Sequence, residues 1–223
     1  MRNNSVHIYG PSFSNFVRTV MLVCEEKQIK YTFGFEVDGI EIGYKSENHF
    51  DLHPYGKLPV LIDNGLILPE TASICRYLDA KFNENNAVKL QPESLLDFTR
   101  HDALCAIISI DIDRVLMRSY LLEFAFPKGK SGQVRLEQVK EVQPQVAKTL
   151  DVITSLLDSH SDMLAGENLT IADALLAPML AYLSCLPEGF NLLPDYPKVG
   201  DYLTKLMKRP SCQKILLEKQ FNL

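Results

Sequence analysis

Gly56-Lys57-Leu58-Pro59-Val60-Leu61-Ile62-Asp63-Asn64-Gly65-Leu66-Ile67-Leu68-Pro69-Glu70-Thr71 decides how this chain is read. Two short apolar runs, Val60-Leu61-Ile62 and Leu66-Ile67-Leu68, flank Asn64-Gly65. A two-residue type I′ turn needs φ > 0 at both central positions, and Asn-Gly tolerates it, so the stretch predicts a tight antiparallel hairpin. Pro59 stands at the start of its strand, where a missing N–H costs least. The Leu58–Pro59 bond can be cis or trans on sequence grounds. Pro69-Glu70-Thr71 then opens a helix, with Ile74, Tyr77, Leu78 and Phe82 on one face of Thr71 to Phe82.

Upstream, Val6-His7-Ile8-Tyr9 reads as a first strand that stops at Gly10-Pro11. Phe16, Val17 and the run Val20 to Cys24 follow at helical spacing, with Ser14 suited to the N-cap. Tyr31 to Val37 reads as a second strand, and Asp38 to Leu52 as irregular with a helical turn. The order is β-α-β and then β-β-α. A crossover helix makes the first pair of strands parallel, and the tight turn makes the last pair antiparallel. The expectation is a mixed four-stranded sheet with helices over residues 1–82.

Residues 83–92 are polar, end in Pro92, and read as a linker. Beyond them helical periods dominate, which predicts an all-α unit over residues 93–223. Ser94 to about Phe126 forms one long apolar-faced stretch. Val134 to about Ser159 follows, with Pro144 expected to kink or divide it. Thr170 and Asp173 form a capping-box pattern ahead of the next helix. Two shorter helices start at Pro197 and Pro210.

Composition narrows the function. The chain has 223 residues, a net charge of −5 and scattered Lys and Arg, so there is no basic footprint for nucleic acid. The N-terminus shows no signal-peptide pattern. The longest apolar run, Ile171 to Leu186, is interrupted by Asp173 and Pro178 and falls short of a bilayer span, so no membrane association is expected. Cys24, Cys75, Cys105, Cys185 and Cys212 are far apart and odd in number, which fits a reducing cytoplasm and argues against a disulfide framework. The five histidines show no metal-ligand spacing, so no metal is expected.

Taken with Gly56-Lys57-Leu58-Pro59, Pro69-Glu70-Thr71, the Ser14–Arg18 turn and the Thr170–Asp173 cap, this organisation resembles the cytosolic glutathione transferase family along the whole chain. Bacterial-type and serine-type members are the nearest pattern. The resemblance implies a thioredoxin-like N-terminal domain that binds glutathione. Leu58, before Pro59, would offer its main chain to the cysteinyl part of the tripeptide, as an edge strand does. Glu70 and Thr71 would hold the γ-glutamyl end, where a helix N-terminus is a ready anion site. Lys45 and Lys57 would reach the glycyl carboxylate. Ser14 would donate a hydrogen bond to the sulfur and favour the thiolate; Tyr9 is the rival, as the phenol of tyrosine-type members.

Each of these residues also has a plainer reading. Ser14, Glu70 and Thr71 can be helix caps, the lysines can be solvated, and Leu58-Pro59 can be an ordinary strand start. The turn at Ser14 holds no cysteine, which counts against thiol–disulfide chemistry through an active-site cysteine. The implied activity is conjugation of glutathione to a small hydrophobic electrophile in detoxification, by a cytoplasmic homodimer with glutathione as co-substrate and no permanently bound cofactor. A glutathione-dependent peroxidase or disulfide reductase, and a non-catalytic interaction protein on the same fold, are the alternatives. The implied acceptor side includes the run from Cys105 to Tyr120. There Asp111, Asp113, Arg114 and Arg118 are expected to form helix-surface ion pairs.

Overall fold

The computed structural model describes residues 5–83, 88–164 and 166–216. The expected hairpin is present as β5 (Val60–Asp63) and β6 (Leu66–Pro69), paired antiparallel from Val60–Pro69 to Asp63–Leu66. Asn64 and Gly65 have φ of 49° and 88°, both positive as the turn requires. The hairpin is pinned to the helix after it, α3 (Thr71–Lys81). Asp63 is buried and accepts from Asn64 Nδ2 at 2.7 Å, from Tyr77 Oη at 2.8 Å and from Lys81. Burial alone would raise the Asp63 pKa. The hydrogen bonds from Lys81 and Tyr77 outweigh it and hold the carboxyl below its ordinary range.

β1 (Ser5–Tyr9) pairs parallel with β2 (Lys30–Gly34) across the crossover helix α1 (Asn15–Glu26), and antiparallel with β5. The sheet order is β2-β1-β5-β6, the mixed four-stranded sheet expected from the strand pattern. The expected strand over residues 31–37 ends early, at Gly34, whose φ is 133°. Two two-residue strands follow, β3 (Glu36–Val37) and β4 (Ile40–Glu41), as a separate hairpin around Asp38-Gly39. The helical turn expected within 38–52 is α2 (Glu47–Leu52), capped by Ser46.

The linker expected at 83–92 includes residues 84–87, which lie outside the described residues. After it, α4 (Leu95–Ala106) continues through two π-helical segments, Ile107–Ile112 and Arg114–Leu121, into α5 (Leu122–Ala125). The helix α6 (Leu136–Ser159) passes through Pro144 undivided. The helices α7 (Ile171–Ser184), α8 (Pro197–Leu206) and α9 (Pro210–Leu216) complete the described chain. Helix α7 is central, with every residue from Ile171 to Leu183 buried, and it packs directly on α1. The capping box at its start is formed in full: Thr170 Oγ1 accepts from the Asp173 N–H, and Asp173 accepts from the Thr170 N–H. A single buried apolar cluster extends from the N-terminal sheet through both faces of α7.

His101 on α4 supports the same helix start. Its Nε2 accepts from the Ala172 N–H at 3.3 Å, which requires the neutral ring. Burial, reinforced by the nearby Arg76 guanidinium, pushes its pKa down to about 4. The unfolded chain takes up this proton first as pH falls, near the free value of about 6.5, so stability falls from there down to the folded value. Between about pH 7.5 and pH 5 this one group removes roughly 2 kcal/mol. Urea unfolding should show that decrement in the wild type, and His101→Gln should lose it.

Candidate functional site

A cleft with a volume of about 1660 Å³ opens between the N-terminal sheet and the helical part. Single small-ligand pockets are roughly 300–1,000 Å³, so this one has room for two reactants side by side. Ser14, Lys45, Lys57, Leu58, Pro59, Glu70 and Thr71 all line it. Tyr9 does not. It is fully buried, and its hydroxyl donates to the Ile42 carbonyl at 3.0 Å. Burial, with Glu41 and Tyr44 nearby, raises its pKa further. The phenol expected as a rival thiol donor is therefore spent inside a small cluster with Ile42, Val60 and Phe35.

Sharp turns bring the candidates together. After β1 the chain reverses at Gly10, whose φ is 142° and where an added Cβ would stand 2.7 Å from Val17 Cγ2. Only glycine meets both demands. Ser14 then occupies the N-cap of α1 with extended φ/ψ, yet its side chain makes no capping hydrogen bond. Glu70 is the N-cap of α3. Its φ is 72°, it too makes no side-chain cap, and its carboxylate is largely exposed. Elsewhere the Ser and Thr caps are closed: Ser46 accepts from His49, Ser94 from Asp97 and Thr170 from Asp173. Two helices thus start without a side-chain cap on their first N–H groups, and both cap residues line the cleft. The plain capping reading fails at these two positions. A non-glycine residue held at positive φ next to an open helix start is strain of the kind found at ligand clamps.

Leu58 lies before the first ladder pair of the hairpin, Val60–Pro69, and its bond to Pro59 is cis. Thr71 is the first residue of α3 and is buried at the cleft floor. Lys45 and Lys57 are exposed and have no carboxylate in ion-pair range among the described residues; each ammonium lies over a ring, Tyr44 at 5.5 Å and Tyr55 at 5.7 Å. One buried histidine joins their segments. His49 Nδ1 accepts from the Lys45 N–H at 2.9 Å, and Nε2 faces the Lys57 carbonyl at 3.1 Å as donor. His53 Nδ1 accepts from the Tyr55 N–H, which leaves Nε2 protonated and 3.6 Å from Glu70. Burial lowers the His53 pKa against the pull of Glu70.

The helical side of the cleft is apolar with a polar insert. Met117, Leu121, Phe124, Phe126 and Tyr182 line it. Asp111 and Arg114 form the expected exposed surface pair at 3.0 Å. Asp113 and Arg118 do not: both line the cleft, and Asp113 is 5% exposed. Arg118 Nε donates to Asp113 Oδ2 at 2.9 Å, and Asn15 Nδ2 donates to Oδ1 at 3.3 Å. Burial raises the Asp113 pKa despite Arg118. Asp113 falls between the two π-helical segments, where the widened backbone turns it inward, a local irregularity common at functional sites. Sequence reading missed His49, His53, Asn15 and Tyr182 as site residues, and placed Asp113 on the acceptor-side run but in a helix-surface ion pair. For Asp113 the one available signal was a carboxylate out of place among aliphatics.

Comparison with known proteins fits this geometry. The family model for the glutathione S-transferase N-terminal domain matches residues 8–86, and that for the C-terminal domain matches residues 112–210. A probable glutathione S-transferase from Oryza sativa subsp. japonica is 27% identical over 210 residues, covering 94% of each chain. A glutathione S-transferase from Silene vulgaris is 25% identical, covering 97% of this chain and 99% of its own. Among solved structures, glutathione S-transferase-I bound with lactoylglutathione is 25% identical with a TM-score of 0.77, covering 95% of this chain and 98% of its own. Both sequence relatives are plant proteins, so the bacterial-type expectation is not confirmed.

Proposed function

The chain belongs to the glutathione S-transferase family, and on that premise we propose how its cleft holds glutathione and activates the thiol. The chain is a glutathione transferase. The observation that carries the site reading is the pair of open helix N-caps at Ser14 and Glu70 in one cleft. Unsatisfied N–H groups and the positive end of α3 favour the γ-glutamyl carboxylate, and Thr71 adds a hydroxyl. The exposed Glu70 carboxylate takes the α-ammonium. Leu58 pairs its main chain with the cysteinyl unit. Lys45 and Lys57, held together through His49, take the glycyl carboxylate.

This places the sulfur at the Ser14 turn. The hydroxyl donates to it, and the field of α1 lowers the thiol pKa, so the proton leaves to solvent and the thiolate remains. The thiolate then forms an S–C bond with an electrophile on the apolar wall, and the leaving group departs with its electron pair. Residues 1–82 serve as the glutathione unit, 83–92 as linker and 93–223 as the acceptor unit. Exposed Phe50, Tyr55, Leu95 and Leu96 supply apolar surface for a homodimer. No cysteine lines the cleft, and four of the five are buried, which favours conjugation over cysteine-based reduction. No helix among the described residues is long and apolar enough to cross a membrane, and a cytoplasmic place in detoxification suits the free thiols.

Calorimetric titration tests the binding half. Wild type should bind glutathione with heat and one site per chain. Thr71→Val should weaken binding roughly tenfold, the cost of one charge-assisted hydrogen bond. Equal affinity in the two proteins would remove the α3 N-terminus from the site.

A further inference from the structure

The residues flanking Ser14 are all tied down, and two of the ties come from the helical domain. The Ser12 carbonyl accepts from Arg18 Nε at 2.8 Å. The Phe13 carbonyl accepts from the hydroxyl of Tyr182, a buried residue of α7. The Arg18 guanidinium lies over the Tyr182 ring, 5.2 Å from its centroid, so the two anchors brace each other. Asn15 is held by Asp113, and Asp113 by Arg118. The Ser14 backbone is closed as well, its N–H on the Pro11 carbonyl and its carbonyl on the Arg18 N–H. Its hydroxyl makes no cap.

We infer that Tyr182 and Asp113 are positioning residues, which fix the Ser14 turn so that its hydroxyl points at the glutathione sulfur. The inference rests on the reading of Ser14 as the thiol's hydrogen-bond donor. Its physical basis is the steep angular dependence of a hydrogen bond: a donor on a free turn samples many directions, and a donor on a turn clamped on both sides samples few. The cost of the device also argues for it. A carboxylate buried in a cleft wall adds little or nothing to stability compared with an apolar residue of the same size, so its presence there suits a specifying role. Tyr182 could be replaced by Phe at α7 with no loss of ring packing; only the tie to the Phe13 carbonyl would go.

The test compares Tyr182→Phe, Asp113→Leu, Asp113→Asn and Ser14→Ala with wild type. The ultraviolet absorbance of the bound thiolate is titrated, and conjugation is followed against pH. Tyr182→Phe and Asp113→Leu should raise the bound thiol's pKa by about one unit, which lowers kcat roughly fivefold at about pH 6.5 and little at high pH. KM for glutathione should stay within about twofold. Asp113→Asn keeps an acceptor for Asn15 and should restore most of the thiolate. If Asp113→Leu does not fold, Asn15→Ala removes the same bond from the other side and should give the same shift. A thiol pKa that moves in Ser14→Ala but in none of the anchor variants overturns the positioning role and leaves Ser14 in place. A loss of rate equal at every pH, with the thiol pKa unmoved, does the same. A thiol pKa unmoved in Ser14→Ala overturns the reading of Ser14 itself.

Discussion

Ser14→Ala is expected to lower kcat for conjugation roughly a hundredfold while leaving KM for glutathione within about twofold, because the donor acts on the developing thiolate and not on the peptide's anchors. The same substitution tests whether Ser14 serves the fold. A Ser N-cap replaced by Ala ordinarily costs about 1 kcal/mol. Here the hydroxyl makes no capping bond, so the unfolding midpoint in urea should move by less than that. The matching control is Ser94→Ala, at a cap that does accept from its N3 N–H, Asp97, at 3.1 Å and should lose the full amount. Loss of activity with stability intact separates the two kinds of cap. Loss of both in Ser14→Ala would return the residue to a structural role.

Lys27→Met is expected to destabilise the chain by about 3–5 kcal/mol, the cost of leaving a buried charge without its partner. The Lys27 side chain has no exposed surface. Its ammonium donates to Asp79 Oδ1 at 2.8 Å and to the Val88 carbonyl at 2.9 Å. Asp79 also accepts from the Leu90 N–H and from Gln91 Nε2, each at 3.1 Å. The Leu90 carbonyl in turn accepts from the Ile171 N–H at the start of α7. One carboxylate thus joins the ends of α1 and α3 to the chain entering the helical part. The double variant Lys27→Met with Asp79→Leu removes both charges and should recover most of the loss, since an apolar pair of similar volume is tolerated where a lone charge is not. Urea unfolding of the three proteins measures this. A single variant within about 1 kcal/mol of wild type would show that water reaches Asp79.

The parts legible in the sequence were those set by local backbone rules. Asn64-Gly65 announced its turn because few other pairs accept two positive φ values, and the flanking apolar runs then fixed register. The Thr170–Asp173 box was equally local. Two-residue strands are too short to show alternation, so β3 and β4 were absorbed into a longer strand and a loop, although Asp38-Gly39 carried a turn signal. Pro144 leaves α6 undivided, because a proline removes one hydrogen bond from a 24-residue helix without by itself ending it. The ties to the Ser14 turn were beyond local reading. Asn15 meets Asp113 across 98 positions and Tyr182 meets Phe13 across 169, and only the packing of α7 against α1 brings them together. Ser14 and Tyr9 differed in the same way. Both were plausible donors until the tertiary fold buried one against Ile42 and set the other at the cleft.

The most direct measurement is the pH titration of glutathione's thiolate absorbance when bound to the wild-type chain and to Ser14→Ala. A free thiol titrates near pH 8.5, and a donor at a helix N-terminus should lower the bound value by about two units in the wild type. Ser14→Ala should carry it most of the way back with the peptide still bound. A bound thiol that titrates as it does in water, or one equally acidic without the Ser14 hydroxyl, would contradict the assignment of thiol activation to this turn.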